Sequence, residues 1–367
     1  MSRTTVCLTH DDAVDLFRGR NGERFGGAET QIYLMAKSLA SVPDIDVIFV
    51  AESDMSDLRV DGISFRRTRS PISRGIPYAS RLVNRWRILR PYRNLERAVV
   101  VQTIAGGHTV STYRSSKALG HKFVYRMSCD ADVDGSILPA NVVEPYLDAI
   151  RGADGVIAQS VLQQQRLRDE LSVESTVIPN LVQVPDAAPE PGGSYVLWVG
   201  RCAPIKRPWI MIETARRLPQ YQFVMVMPKE DELFWMSVIG EASHVQNLKI
   251  VEGASYFEMD QFFRDAAVLV STSAVEGFPN VFLQAAAQGT PIISLDVDPG
   301  GMLELDGCGW YAAGDVDAMR ESIVEAMSNS HSLSEKSANS YEYVSCNHKP
   351  EVVTPQLVQF LHSVAAG

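Results

Sequence analysis

The stretch that decides the fold is Val270-Ser-Thr-Ser-Ala-Val-Glu276-Gly277-Phe278-Pro279-Asn280, continuing through Val281-Phe-Leu-Gln284-Ala-Ala-Ala-Gln-Gly289-Thr-Pro-Ile-Ile-Ser294. An apolar run ends in small polar residues, and a helix-compatible stretch then stops at a glycine before a second short apolar run. This order predicts strand, loop, helix and strand. The loop therefore lies at the carboxyl end of a strand, which is where open α/β sheets bind their ligands.

The residues of this loop indicate the chemistry of the ligand. Free N–H groups in the first turn of a helix attract anionic oxygens, and Gly277 lets a ligand approach the backbone closely. Pro279 lacks an N–H that would be unpaired at a helix start. Glu276 repels an anion unless it accepts hydrogen bonds from hydroxyls, so a ligand with both phosphate and sugar hydroxyls fits. The alternative is an ordinary helix start with a favourably placed acid.

Two further segments have the features of a phosphate site. A strand beginning at Tyr195 ends in Gly200-Arg201, and Lys206 follows before a helix. A diphosphate needs cations from more than one side, and arginine and lysine provide complementary contacts. Gly26-Gly27 follows the first predicted strand, Thr4 to Thr9, where a doubly wound fold brings the backbone close to phosphate. Exposed loop cations and a tight turn are the alternatives.

These segments resemble one known family. Glu276-Gly-Phe-Pro-Asn, followed by a helix and Gly-Thr-Pro-Ile, resembles the donor-sugar loop of the retaining, nucleotide-sugar-dependent glycosyltransferases of family 4, which have the GT-B fold. Gly200-Arg201 with Lys206 resembles the phosphate-binding segment of that family, and Gly26-Gly27 resembles its glycine pair. The family has a second Glu eight positions after the first, where this chain has Gln284, which keeps a carbonyl acceptor but loses the charge.

The resemblance implies an α/β fold of the GT-B type, with two Rossmann-like domains facing a central cleft. We expect residues 1–185 to form an acceptor-binding domain and residues 195–348 to form the nucleotide-sugar-binding domain. The linker is placed at residues 186–194 because this segment is rich in Pro, Gly and Ala. Residues 349–367 are expected to form a helix that packs back towards the amino-terminal domain.

The resemblance also assigns roles to residues. The catalytic candidates are Glu276, Lys206 and Arg201, with Glu276 holding a sugar hydroxyl and the two cations stabilising the leaving diphosphate. The donor is expected to be a UDP- or GDP-linked sugar, with no cofactor and no metal ion. The full set of donor-binding candidates is Gly26, Gly27, Gly200, Arg201, Lys206, Glu276, Gly277, Phe278, Pro279, Asn280, Gln284 and Tyr256.

The acceptor side is less well defined by the sequence. A sugar-contacting His of the family falls near Ser128, where this chain has none. The nearby alternatives are His108, Arg126, Asp130 and Asp132. Asp130-Ala-Asp132 also has the form of a metal-binding acid pair, and the loop through Gly135 matches the first half of a calcium loop. Its twelfth position is Asn141 where a bidentate Glu is needed, so we expect no metal there.

Composition limits the class of protein. A chain of 367 residues with 46% hydrophobic residues suits two soluble domains. A formal net charge of -10 excludes general nucleic-acid binding, and no apolar run is long enough for a transmembrane helix or a signal peptide. The odd number of scattered cysteines indicates reduced thiols rather than disulfides or a zinc site. We therefore expect a cytoplasmic protein. The cysteines are Cys7, Cys129, Cys202, Cys308 and Cys346.

One segment is strongly basic within this acidic chain. A predicted amphipathic helix from Arg81 to Arg90 carries several of its arginines, with Trp86 on the apolar face. Three interpretations of such a helix are open. It packs on the sheet, it docks on an anionic membrane surface, or it binds an acidic acceptor glycan. The arginines of this basic segment are Arg59, Arg66, Arg67, Arg69, Arg74, Arg81, Arg85, Arg87, Arg90, Arg93 and Arg97.

Together these features predict a retaining glycosyltransferase that moves a sugar to a glycan, glycolipid or other hydroxyl acceptor in surface polysaccharide or glycoconjugate synthesis. The alternatives are a GT-B sugar-nucleotide epimerase, which needs no acceptor, and a non-catalytic nucleotide-sugar-binding protein. Gln284 and the missing His keep the last alternative open.

Overall fold

The chain forms two α/β units. The computed structural model describes residues 3–19, 26–52, 55, 58–68, 89–190 and 192–367. Of the described residues, unit 1 comprises those up to Arg20, Gly26–Leu181 and Pro350–Gly367, and unit 2 comprises Val182–Lys349. Each unit has its own parallel sheet with flanking helices, which confirms the predicted α/β class.

Unit 1 is built on an eight-stranded sheet. The described pairs are parallel, except that the short β3 runs antiparallel to β4. The strand order is β3-β4-β2-β1-β5-β6-β7-β8. The strands are β1 Thr4–Thr9, β2 Ile45–Ala51, β3 Arg59–Val60, β4 Ile63–Arg67, β5 Val99–Gln102, β6 Lys122–Arg126, β7 Gly155–Ala158 and β8 Thr176–Val177.

Helices of unit 1 include the last helix of the chain. That helix, α12, spans Pro350–Ala366, and its buried residues Val353, Leu357, Leu361 and Val364 recur every three or four positions along one face. They join the core cluster of β1 and the helix Gly27–Ala40, so the end of the chain completes the core of unit 1. The other described helices are α1 Val14–Phe17, α2 Gly27–Ala40, α3 Gly107–Ala118, α4 Ala140–Arg151 and α5 Val161–Leu171.

Unit 2 contains a six-stranded sheet in the order β11-β10-β9-β12-β13-β14, with parallel pairing throughout. The strands are β9 Tyr195–Val199, β10 Phe223–Val226, β11 Leu248–Val251, β12 Ala266–Ser271, β13 Ile292–Ser294 and β14 Gly309–Tyr311. The helices are α6 Pro208–Arg217, α7 Glu232–Ala242, α8 Tyr256–Asp265, α9 Asn280–Ala287, α10 Val316–Ser328 and α11 Ser330–Asn347.

Strand order reverses near the middle of each sheet. In unit 1 the reversal lies between β1 and β5, and in unit 2 it lies between β9 and β12. Helices that follow the two strands of such a pair cover opposite faces of the sheet. A crevice therefore opens at the carboxyl ends of the strands. The loops after β9 and β12 are the two segments in which the sequence predicts the diphosphate and sugar contacts.

The basic segment is described only in part. The predicted helix Arg81 to Arg90 falls almost entirely outside the described residues, because 69–88 are not among them. The strand predicted from Gly62 to Arg67 begins at Ile63 and is preceded by β3, which the sequence reading missed. Asp61 and Gly62 join the two strands with φ of 49° and 82°, which is the geometry of a tight hairpin turn.

Arg66 is used within unit 1. Its Nη1 donates hydrogen bonds to the carbonyl oxygens of Pro91 at 2.9 Å and Arg93 at 3.1 Å. This arginine of the basic segment therefore holds a neighbouring loop. In the part of the chain that the structure describes, no helix has the length and apolar character needed to cross a bilayer.

Candidate functional site

The centre of the candidate site is an ion pair between Lys206 and Glu276. Lys206 follows β9 and Glu276 follows β12, so the two sides of the strand-order reversal in unit 2 each contribute one residue. The Nζ of Lys206 donates to Oε1 of Glu276. Both side chains retain contact with solvent, with exposed fractions of 18% and 19%. The structure thus brings together the two residues that the sequence linked only through a predicted ligand.

A buried threonine joins the two loops beneath this pair. The hydroxyl of Thr272 donates to the carbonyl oxygen of Lys206 at 2.7 Å and accepts from the Nε1 of Trp198 at 2.9 Å. The backbone N–H of Ala274 also donates to the carbonyl of Ile205 at 2.9 Å. Because Thr272 is fully buried, water does not compete for these hydrogen bonds. The relative position of Lys206 and Glu276 is therefore fixed by contacts below the surface.

Arg207 connects three strand ends. Its Nε donates to the carbonyl of Thr272 at 2.6 Å, and its Nη2 pairs with the carboxylate of Asp296, which follows β13. Arg207 has a φ of 49°, in the left-handed region that non-glycine residues seldom adopt. Such a conformation persists only where the surroundings impose it, and it occurs often at functional sites. Arg207 therefore braces the loop that presents Lys206.

The sequence reading missed the roles of Thr272, Arg207 and Asp296. Arg207 stands next to Lys206, which was a signal that it belongs to the same loop. No spacing rule indicated that its guanidinium turns towards Thr272 and Asp296, which are distant in sequence.

Arg201 pairs with a residue of a different loop. Its Nη1 donates to the carboxylate of Glu230 at 2.8 Å, and 54% of its side chain is exposed. Glu230 belongs to the loop after β10, so Arg201 faces the β10 side of β9 while Lys206 faces the β12 side. The expectation that Arg201 converges with Lys206 and Glu276 is corrected in this respect. An oppositely charged partner on the neighbouring loop holds it at a different strand end.

Several donor-side candidates lie around the Glu276 loop. Pro279 caps α9 with a φ of -64° and Asn280 is its first residue, so Gly277 and Phe278 lie just ahead of the helix. The ring of Phe278 is buried in the core of unit 2, 5.1 Å from the ring of His348. Phe278 therefore offers a ligand its backbone rather than its ring. Gln284, one turn further along α9, is half-buried.

Gly200 and Tyr256 are two other donor-side candidates, and each has close neighbours within unit 2. A Cβ on Gly200 would lie 2.9 Å from the indole of Trp198, so glycine at this position makes room for that ring. Tyr256 is the first residue of α8, and its ring packs edge-on against Phe257 at 5.4 Å. The helix start beside it is capped by Ser255, whose hydroxyl accepts from the N–H of Glu258.

The remaining glycine pair and His108 belong to unit 1. Gly26 is the residue that caps α2, and Gly27 is its first residue. His108 is exposed in the first turn of α3. All three lie after the carboxyl ends of β1 and β5, beside the reversal of strand order in unit 1.

Asp132 was expected to face an acceptor, and the structure corrects this. Its side chain is buried, and Oδ2 accepts from the backbone N–H groups of Ser128 at 2.7 Å and Cys129 at 3.1 Å. The same oxygen accepts from the Ser128 hydroxyl at 2.9 Å and from Tyr125 at 3.3 Å. Asp132 therefore holds the turn after β6. Burial raises the pKa of its carboxyl group, while these hydrogen bonds oppose the rise.

The other two acceptor-side candidates are also engaged inside unit 1. Asp130 accepts from Nε2 of Gln163 at 2.8 Å. Arg126 is 2% exposed and donates through Nη2 to Asn180, and burial lowers its pKa to about 10. Its near-complete burial corrects the expectation that it meets an acceptor at the surface. The sequence placed Arg126 correctly at the end of a strand. It did not show that the side chain is buried.

Residues 193–329 match the family model described as Glycosyl transferases group 1. That range contains Lys206, Arg207, Thr272 and Glu276. No curated protein sequence matches the chain.

Solved structures resemble the whole chain. The sucrose-phosphate synthase of Thermosynechococcus elongatus is similar with a TM-score of 0.79 at 15% identity, covering 99% of this chain and 100% of that one. Anabaena HepE in complex with UDP and glucose gives a TM-score of 0.78 at 13% identity, covering 98% and 100%. The lipopolysaccharide outer core galactosyltransferase WaaB gives 0.67 at 17% identity, covering 98% and 99%.

These structural likenesses show the fold. The expected GT-B fold is confirmed over the full length of the chain. The match to the group 1 model covers the part of unit 2 that holds Lys206 and Glu276.

Proposed function

We propose that this protein is a retaining glycosyltransferase of family 4 that transfers a sugar from a nucleoside-diphosphate donor to a hydroxyl of a glycan or lipid-linked acceptor. The observation that carries the proposal is the Lys206–Glu276 pair after β9 and β12, which keeps partial contact with solvent and is held from beneath by Thr272. The pair combines a cation for phosphate with an acid for hydroxyls. Such a combination suits a sugar joined to a diphosphate.

The transfer step needs charge stabilisation at the leaving group. As the bond between the anomeric carbon and the diphosphate oxygen breaks, negative charge builds on the phosphate and positive charge on the sugar. The Lys206 ammonium and the N–H groups at the start of α9 stabilise the first, and Glu276 holds a sugar hydroxyl and orients the ring. Arg201 contributes from the rim if it leaves Glu230. In this scheme the transfer requires no metal ion.

The donor is proposed to be a UDP- or GDP-linked sugar. UDP lies in the structure of HepE, which has the same fold at low sequence identity. Retention of anomeric configuration is proposed by analogy with family 4, with the acceptor hydroxyl entering on the face that the diphosphate leaves. Synthesis of a surface polysaccharide or glycoconjugate in the cytoplasm is the proposed setting.

A thermal-shift screen of the purified protein against UDP, GDP and ADP tests the donor assignment. A ligand that binds only the folded state raises its stability by about 2.7 kcal/mol at 100 times its Kd. We expect UDP or GDP to raise the melting temperature and ADP to have a smaller effect. No shift with any of the three nucleotides would contradict the proposed donor site.

The matched variants are Lys206→Gln and Glu276→Gln. Each removes one charge; Glu276→Gln keeps the side-chain length, and Lys206→Gln shortens it by one atom. We expect sugar transfer to fall by roughly 10²–10³-fold, the scale of losing one preorganised stabilising group. Lys249→Gln and Glu213→Gln are controls, because these residues lie on the exposed edge of β11 and on α6 of the same unit. They should transfer at the wild-type rate. Full activity in both site variants would contradict the catalytic roles proposed for Lys206 and Glu276.

Two outcomes favour the alternatives. Turnover of the nucleotide sugar without any acceptor would indicate an epimerase. Binding of the nucleotide with neither hydrolysis nor transfer across a panel of acceptors would indicate a binding protein.

The basic segment is proposed to bring the enzyme to an anionic membrane surface. Cations near such a surface contribute about 1 kcal/mol each. We expect the wild type to sediment with vesicles of phosphatidylglycerol and phosphatidylcholine, and a variant with Arg81, Arg85 and Arg87 changed to Glu to remain in the supernatant. Equal sedimentation of the two proteins would assign the segment to another partner, such as an acidic glycan.

A further inference from the structure

Unit 1 has its own crevice, and its polar residues are not used by the proposed donor chemistry. His10 follows β1 directly, Asp12 lies two residues later, and Glu29 lies in the first turn of α2. One ligand atom from each of these side chains lies within 4.8 Å of the other two. Within the described ranges, this is the one group of three acidic, histidine or cysteine side chains that is this compact.

His10 is the unusual member of the group. It is 3% exposed, and its Nδ1 is buried without a hydrogen-bond partner. Buried polar atoms are nearly always hydrogen-bonded, because an unpaired one costs about 1–3 kcal/mol. An imidazole nitrogen beside two carboxylates is a donor set that transition-metal ions prefer.

The surroundings of Glu29 leave its carboxylate available as a ligand. A Cβ on Gly26 would lie 2.4 Å from Oε2 of Glu29, so the glycine makes room for that carboxylate over the helix start. Asp11 is not part of the cluster, since its Oδ1 accepts from the backbone N–H of Glu52 at 2.6 Å. His108 lies near His10. The cluster therefore sits where β1, α2 and the loop after β5 meet.

We infer that His10, Asp12 and Glu29 bind one divalent transition-metal ion, of the Mn²⁺ or Zn²⁺ class, in the crevice of unit 1. The ion would receive one nitrogen and two carboxylate oxygens from the protein. It would tie the end of β1 to the start of α2. A histidine ligand disfavours Mg²⁺ and Ca²⁺, which prefer oxygen throughout. The inference does not depend on the donor site, because all three ligands belong to unit 1.

Mn²⁺ is the probe for the test, with the full chain purified without a histidine tag and stripped by EDTA. Electron paramagnetic resonance separates free from bound Mn²⁺ and gives the stoichiometry. We expect one tightly bound Mn²⁺ per chain, with electron spin-echo modulation from a coordinated ¹⁴N. Asp12→Asn and Glu29→Gln should each weaken binding by ~10-fold or more, since even the loss of an outer-shell partner acts on that scale. His10→Gln should abolish the ¹⁴N modulation.

The controls are Asp15→Asn and His362→Gln. Asp15 lies in the same segment but pairs with Arg18, and His362 lies on α12 beside Asp44. Both variants should bind Mn²⁺ as the wild type does. If His10→Gln does not fold, the exposed Asp12→Asn variant still decides the question. Absence of tight Mn²⁺ binding to the wild type, affinity unchanged in Asp12→Asn and Glu29→Gln, or ¹⁴N modulation that persists in His10→Gln would overturn the inference.

Discussion

The two oxygens of the Asp132 carboxylate have different surroundings. All four hydrogen bonds described above go to Oδ2, while Oδ1 is buried without a partner. A buried charge with one unsatisfied oxygen favours the protonated form, and the pKa of Asp132 is accordingly raised above 3.8. The native state therefore holds a proton that the unfolded chain releases as the pH rises above that value.

This difference predicts a pH dependence of stability. Because the protonated Asp132 of the native state binds a proton that the unfolded chain has lost just above pH 3.8, Asp132 contributes a decrease in the free energy of unfolding of unit 1 as the pH rises through this interval. Asp134 and Asp154 contribute the opposite slope, because their pKa values are lowered in the native state. In Asp132→Asn the side-chain oxygen retains the four hydrogen bonds and the amide cannot titrate, so this decrease should be absent. Urea denaturation at a series of pH values measures it. An identical pH slope in both proteins would contradict the role of Asp132.

Thr272 carries the second prediction at the level of single residues. Thr272→Val removes the hydroxyl, leaving the buried Nε1 of Trp198 without its acceptor and the carbonyl of Lys206 without a donor. We expect the free energy of unfolding of unit 2 to fall by about 1–3 kcal/mol, the cost of an unsatisfied buried polar group. Tryptophan fluorescence during urea denaturation reports it. Thr272→Ser retains the hydroxyl and should lose less, so equal losses would point to the methyl group instead.

At the scale of elements, α12 shows how a terminal helix completes a core. Leu361 is fully buried in the cluster that contains β1 and α2. Leu361→Ala should lower the free energy of unfolding of unit 1 by about 2–5 kcal/mol, because it leaves a cavity in a packed interior. Gln359→Ala, on the exposed face of the same helix, should have almost no effect. A comparable loss in both variants, measured by chemical denaturation, would contradict the role of packing, because alanine has the highest helix propensity and neither loss could come from the helix itself.

The elements also show which features could be predicted from the sequence. The strand from Thr4 to Thr9 and the helix that ends before Gly289 were predicted from local signals. The strand follows from its apolar pattern. The helix end follows from Gly289, whose φ is 68° in the structure. Lys206 and Glu276 were expected to lie around one ligand, because both residues follow strands of one domain, but their direct ion pair was not predicted. The Arg201–Glu230 pair, the depth of Asp132 and the His10, Asp12 and Glu29 cluster depend on side-chain directions. Sequence spacing does not determine those directions.

At the scale of the whole molecule, the two units differ in how the chain builds them. Lys206, Arg207, Thr272, Glu276 and Asp296 all lie in unit 2, within Val182–Lys349. Unit 1 instead needs two separate segments, since Pro350–Gly367 returns to it after unit 2 is complete. Core residues such as Leu357 reach unit 1 only through that return. A cut in the chain should therefore affect the two units unequally.

This asymmetry predicts the behaviour of fragments. Residues 182–349 expressed alone should fold and keep the affinity for UDP or GDP within ~10-fold of the full chain, about 1.4 kcal/mol, because the ion pair and its supporting hydrogen bonds are all retained. Residues 1–181 alone should be less stable than the same fragment mixed with a peptide of residues 350–367, since the peptide restores the missing face of the core. Calorimetric titration and circular dichroism measure the two effects. If the peptide gave no stabilisation while the full chain unfolded cooperatively, the returning helix would not complete the core of unit 1.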